Sequence, residues 1–128
     1  MRVLICGDRN WRNFHCIAYT LSYFATKHNV EVVIEGEAKG ADTLGRVAAE
    51  RFGIPVLKFP ALWDKHGKAA GPIRNRQMLT EGKPTLVLAF HNDIANSKGT
   101  KDMVKAAMKA GIDTRVFTEK GEVNVRVG

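Results

Sequence analysis

Only two cysteines, Cys6 and Cys16, occur in the 128 residues. They are too few for a disulfide framework, and their spacing suits no metal site. The four histidines, His15, His28, His66 and His91, form no ligand pair at helical spacing. Neither a metal nor a resident cofactor is therefore expected. No segment approaches the roughly 18 consecutive apolar residues that cross a bilayer, so no membrane partner is expected either. Met1 runs directly into Arg2-Val3-Leu4-Ile5-Cys6 without the layout of a signal peptide. The expectation is a soluble, cytoplasmic chain with both thiols reduced. Internal repeats, low-complexity tracts and linkers are missing too, which leaves one domain over residues 1–118 and a tail or edge strand over 119–128.

What is present is apolar material for one core, 45% of the chain, arranged in two alternating periods. Short runs rich in β-branched residues place strands at Val3–Cys6, Val30–Ile34, Pro55–Phe59, Thr85–Phe90 and Thr114–Phe117. Their continuous hydrophobicity suits strands covered on both faces. Between them, Phe14, Ile17, Ala18, Leu21 and Phe24 share one helical stripe, and Leu44, Val47, Ala48 and Phe52 share another. Further helices are predicted from about Pro72 to Glu81 and from about Thr100 to Ala110, with Pro72 tolerated in a first turn. Val123, Val125 and Val127 alternate with polar residues in the tail, the pattern of an edge strand. Repeated β-α units predict a three-layer α/β/α, Rossmann-like fold around a mostly parallel sheet of about five strands.

The formal charge is +7, which favours an anionic partner without saying whether it is small or polymeric. Lys65, Lys68, Arg74 and Arg76 lie in a stretch with no Asp or Glu. This reads either as a solvated basic loop or as a phosphate-contacting one. Elsewhere basic residues interleave with acids.

In an open α/β sheet the ligand crevice lies beyond the carboxyl ends of the strands. The first strand ends in Gly7-Asp8-Arg9-Asn10-Trp11, where Gly7 lets a ligand approach the backbone, Arg9 can pair with phosphate, and Trp11 can stack on a base or simply pack. The second runs into Glu35-Gly36-Glu37-Ala38-Lys39-Gly40-Ala41-Asp42, a glycine-bracketed helix start suited to anions but not a Walker A loop. Asp42 reads equally as a helix N-cap or as a contact to a ligand hydroxyl. After the third strand, Trp63 precedes Pro72-Ile73-Arg74-Asn75, which sets Arg74 and Asn75 in a first helical turn. The fourth loop closes on Gly99-Thr100, offering backbone donors and a hydroxyl, or a plain N-cap.

These motifs, in this order over residues from about 2 to 117, resemble the YspA/cpYpsA-related branch of the SLOG superfamily, which also holds the LOG phosphoribohydrolases and DprA. Cys6-Gly7-Asp8-Arg9-Asn10-Trp11 resembles that family's Gly-Ser-Arg-Asp-Trp turn, and Gly36 to Asp42 resembles its Gly-Gly-Ala-Arg-Gly-Ala-Asp. Trp63, Gly67 to Asn75, Met78, Phe90 and Gly99-Thr100 continue the match. The resemblance implies a pocket for a phosphate-bearing nucleotide or nucleotide-derived molecule, such as an ADP-ribose relative, held by a binding or sensing protein. It implies contacts from Gly7, Asp8, Arg9, Trp11, Gly36, Lys39, Gly40, Trp63, Arg74, Asn75, Gly99 and Thr100. The alternatives are hydrolysis of a nucleotide derivative, with Glu37 or Asp42 as the catalytic carboxylate, and DprA-like nucleic-acid binding. Related folds pair through their helices, so a homo-oligomer is expected. The LOG enzymes carry a glutamate three positions after Gly-Thr, and this chain carries Met103 there, which argues against LOG-type cleavage.

Overall fold

Val3, Leu4, Ile5 and Cys6 are all buried, as they must be in a strand covered on both faces. In the computed structural model, which describes residues 1–125, they belong to β1 (Arg2–Gly7), an inner strand of a six-stranded sheet. The chain continues through α1 (Phe14–Lys27), β2 (Val32–Glu35), α2 (Ala41–Arg51), β3 (Val56–Lys58) and a short α3 (Trp63–His66). A 3-10 turn at Gly67–Ala69 leads into α4 (Ala70–Gly82), followed by β4 (Leu86–Phe90), α5 (Gly99–Lys109), β5 (Asp113–Thr118) and β6 (Gly121–Val123).

The strand order is β3-β2-β1-β4-β5-β6, parallel throughout except for the antiparallel β5–β6 hairpin. This is the predicted Rossmann-like α/β/α architecture with one strand more than five. Val123 pairs with Val116, and Val125 packs beside the core. Val127 lies outside the described residues.

The two faces of β1 follow from the period of two in a strand. Val3 and Ile5 join Ile17, Leu21 and Phe24 of α1 and Ala48 of α2, whereas Leu4 and Cys6 join Met78 of α4 and Met103, Val104 and Ala107 of α5. Each fully buried Leu or Ile of these layers stabilises the fold by about 1.5–3 kcal/mol.

The predicted stripe of α2 needs correction. Phe52 follows the end of the helix and is half-exposed, and the inward face is Ala41, Gly45, Ala48 and Ala49. Small residues are required there because a Cβ on Gly45 would press into the side chain of Ile5. The stretch from Pro60 to Gly71 holds α3, the 3-10 turn that opens at Gly67 with φ +56, and the first residues of α4.

From β1 the chain builds outward through β2 and β3, then crosses back to β4 on the other side of β1. The crevice at such a reversal is where α/β sheets bind ligands. Here the two strand ends are tied together: Asp8 donates its backbone N–H to Phe90 O at 2.9 Å. Gly7 lies so close to β4 that a Cβ would fall on the Phe90 carbonyl.

Candidate functional site

A cavity of about 690 Å³ opens above the ends of β1 and β4, within the size range of small-molecule sites. Cys6 and Met103 form its floor, the Gly7–Asn10 loop one wall, α4 with Trp63 another, and Ser97 to Thr100 at the start of α5 a third.

Its central cation is Arg74, in the first turns of α4. Nη1 donates to Gly36 O at 2.6 Å, and Nε donates to Asn75 Oδ1 at 3.1 Å. Asn75 is itself buried and donates through Nδ2 to Asp102 Oδ2 at 3.0 Å and Gly99 O at 3.3 Å. Asp102 also receives both terminal nitrogens of Arg76 at 3.0 Å. Against the cost of partial burial, these bonds hold the Asp102 carboxyl below the usual range. A chain of polar contacts from Asp102 through Asn75 therefore orients Arg74, whose Nη2 makes no hydrogen bond among the described residues.

Asp42 stands beside Arg74 and is 5% exposed. It is not the N-cap of α2, which is Gly40; its Oδ2 accepts from Gly36 N at 3.0 Å and Ala38 N at 3.4 Å, and the residue lines the cavity. Burial pushes its carboxyl up to about 6, against the pull of Arg74, the two loop amides and Arg9. The backbone amides of Gly36, Glu37 and Ala38 are thus spent on the protein's own carboxylates. Ala41 N is similarly bound, to Asp8 O at 3.1 Å.

At the rim, the Arg9 guanidinium lies 5.6 Å from the ring centroid of Trp63, an attractive cation–π distance. Trp63 is 48% exposed and can receive a base. His91 accepts at Nδ1 from Asp93 N at 2.9 Å, which leaves the proton on Nε2, 3.8 Å from Asp8 Oδ2. Lys68 and Lys98 complete the charged lining. Burial pushes the Cys6 thiol far up, so it is an inert part of the floor.

Gly7, Asp8, Arg9, Trp63, Arg74, Asn75, Gly99, Thr100 and Asp42 all come together in this cavity. The Thr100 amide is already bound, donating to Ser97 Oγ at 3.1 Å. Five other candidates lie outside it. Trp11 is buried against Phe90 with ring centroids 5.7 Å apart, and its indole N–H donates to Asn13 O, so it packs and does not stack on a ligand. Gly36 lies beneath Arg74 and does not line the cavity, while Lys39 and Gly40 line a second hollow on the far side of the Asp8–Trp11 loop. Glu37, the other catalytic candidate, turns outward at φ 59 and faces Arg46 Nε at 3.5 Å. Asp102, His91 and Lys98 were not singled out from sequence, where each reads as an ordinary surface residue, whereas Lys68 belongs to the basic stretch from Lys65 to Arg76.

Glu35 was read as part of the turn, yet it ends β2 fully buried, and its Oε2 has no hydrogen-bond partner among the described residues. Its Oε1 accepts from Glu37 N at 2.6 Å. Burial, then the neighbouring Glu37 carboxyl, raises its own carboxyl to about 8, so it is neutral at pH 7.

A family described as the YspA, cpYpsA-related SLOG family matches residues 1–66, which hold the first two loops and Trp63. The Gene 61 protein of Mycobacterium phage D29 is 32% identical over 126 residues, covering 93% of this chain and 98% of its own. No solved structure matches the chain.

Proposed function

The chain belongs to the YspA, cpYpsA-related SLOG family, and from that premise we propose that it binds a phosphate-bearing nucleotide or nucleotide-derived ligand in the β1–β4 crevice, as a binding or sensing protein. The observation that carries this reading is Arg74: braced on two sides by Gly36 O and Asn75 inside the cavity, with one guanidinium nitrogen left over for an anion. A preorganised guanidinium loses little freedom on meeting phosphate and forms charge-assisted hydrogen bonds. Trp63 beneath Arg9 gives a base or ribose an apolar face at the rim.

Hydrolysis is the weaker reading. Met103 is 1% exposed where LOG enzymes place a glutamate, and Glu37 faces away. Asp42 is the carboxylate at hand, but its Oδ2 is already occupied by two amides.

Incubation with nucleoside monophosphates, NAD and ADP-ribose, read by calorimetry for binding and by chromatography for free base, separates the readings. Saturable binding without base release is expected. Steady release of base, lost in Asp42→Asn, would make the protein a hydrolase instead.

A further inference from the structure

The second hollow differs from the main cavity in charge. The cavity sets four cations, Arg9, Lys68, Arg74 and Lys98, against three acids, Asp8, Asp42 and Asp102. The hollow, of about 560 Å³, carries Arg9, Arg12 and Lys39 among its lining residues and no acid at all. Among the described residues none of these three forms an ion pair. Cations that line one hollow without a counter-charge repel one another, and an anion bound there relieves that repulsion.

The two spaces are neighbours by construction. Arg9 and Asn10 line both, so only the Asp8–Trp11 loop separates them. That loop is held rigidly: Trp11 N and Ala41 N both donate to Asp8 O at 3.1 Å, and Gly40, at φ +75, packs against the backbone of Asp8 and Arg9 too closely for any Cβ. The β1–α1 and β2–α2 loops therefore interlock, and this fixes Lys39 on the same side as Arg12.

We propose that this hollow is a second phosphate subsite and that the ligand carries two phosphates separated by at least a sugar. One phosphate meets Arg74 in the cavity, and the chain of the ligand passes over Arg9 to place the other between Arg12 and Lys39. The inference rests on the assignment of the main cavity to a phosphate-bearing nucleotide. A nucleoside bisphosphate and a phosphorylated dinucleotide share the required chemistry, and Trp63 accepts either because stacking tolerates any base.

The test is calorimetric binding of AMP, adenosine 3′,5′-bisphosphate and the dinucleotide pApA to the wild type, Arg12→Glu and Arg12→Ala, with thermal melts as a folding control. Arg12 is exposed and outside the main cavity. At least one two-phosphate probe is expected to bind about tenfold more tightly than AMP. Arg12→Glu should abolish that gain, Arg12→Ala should reduce it, and AMP should be unaffected in both. Which probe gains identifies the spacing. Equal binding of all three probes, or a gain that survives Arg12→Glu, overturns the second subsite while leaving the main cavity intact. Failure of every probe to bind the wild type removes both assignments.

Discussion

The guanidinium of Arg74 occupies the space where a Cβ of Gly36 would stand. A methyl group there presses hardest on the far end of the Arg74 side chain, which can swing away without moving the backbone, and less closely on Asp42 Oδ2. Gly36→Ala is therefore expected to leave the fold and thermal midpoint nearly unchanged while misdirecting Arg74. Ligand affinity should fall about 10- to 100-fold, the range of one charge-assisted hydrogen bond or more. Calorimetry beside a thermal melt checks both halves.

Arg74→Lys is expected to bind ligand almost as poorly as Arg74→Ala. Lysine keeps the charge but lacks the fork that spans Gly36 O and the Asn75 side chain while presenting a further N–H. Recovery of more than about half of the binding free energy by lysine, relative to alanine, would show that charge alone suffices.

Gly7→Ala should behave differently from Gly36→Ala. Its φ is +154, and the obstacle is the Phe90 backbone, which is fixed by the β1–β4 ladder. Separation of the two central strands is the only relief. Denaturant titration should show a loss of at least about 2 kcal/mol, in the class of backbone-strain substitutions.

Glu35 makes stability depend on pH. Its carboxyl rises from an ordinary 4.5 to about 8 in the folded protein, so the native state keeps a proton that the unfolded chain releases. That stabilisation is complete below pH 4.5 and is lost as pH rises to about 8, by at most about 1.4 kcal/mol per pH unit. Asp42 adds the same sign of change only between 3.8 and about 6. Between pH 6 and 8 the wild-type melting midpoint should therefore fall, and that of Glu35→Gln should stay nearly level. Parallel curves would assign the proton elsewhere.

Much of the fold was legible because the inner strands are buried on both faces, and runs such as Val3–Cys6 and Leu86–Phe90 admit few alternatives. The site was legible where local chemistry marks a helix start: Pro72 located the beginning of α4 to within two residues, although Arg74 and Asn75 fall in its second turn and not its first. It was not legible where two identical residue types differ only in tertiary surroundings. Trp11 and Trp63 both follow strands, yet one is 4% exposed against Phe90 and the other 48% exposed at the rim. Glu35 and Glu37 look alike in sequence, but one more residue in β2 buries the first, and the positive φ of Glu37 turns the second outward. Asp42 reads as a cap from spacing alone because its true partners, the amides of Gly36 and Ala38, lie before the helix.

An ¹⁵N-resolved NMR titration with ADP-ribose and with AMP tests the central claim most directly. The account predicts saturable shifts grouped at Gly7, Asp8, Arg9, Gly99 and Thr100 and at the Arg74 side chain, all absent in Arg74→Ala. Shifts scattered over the surface, or an unchanged pattern in Arg74→Ala, would contradict it.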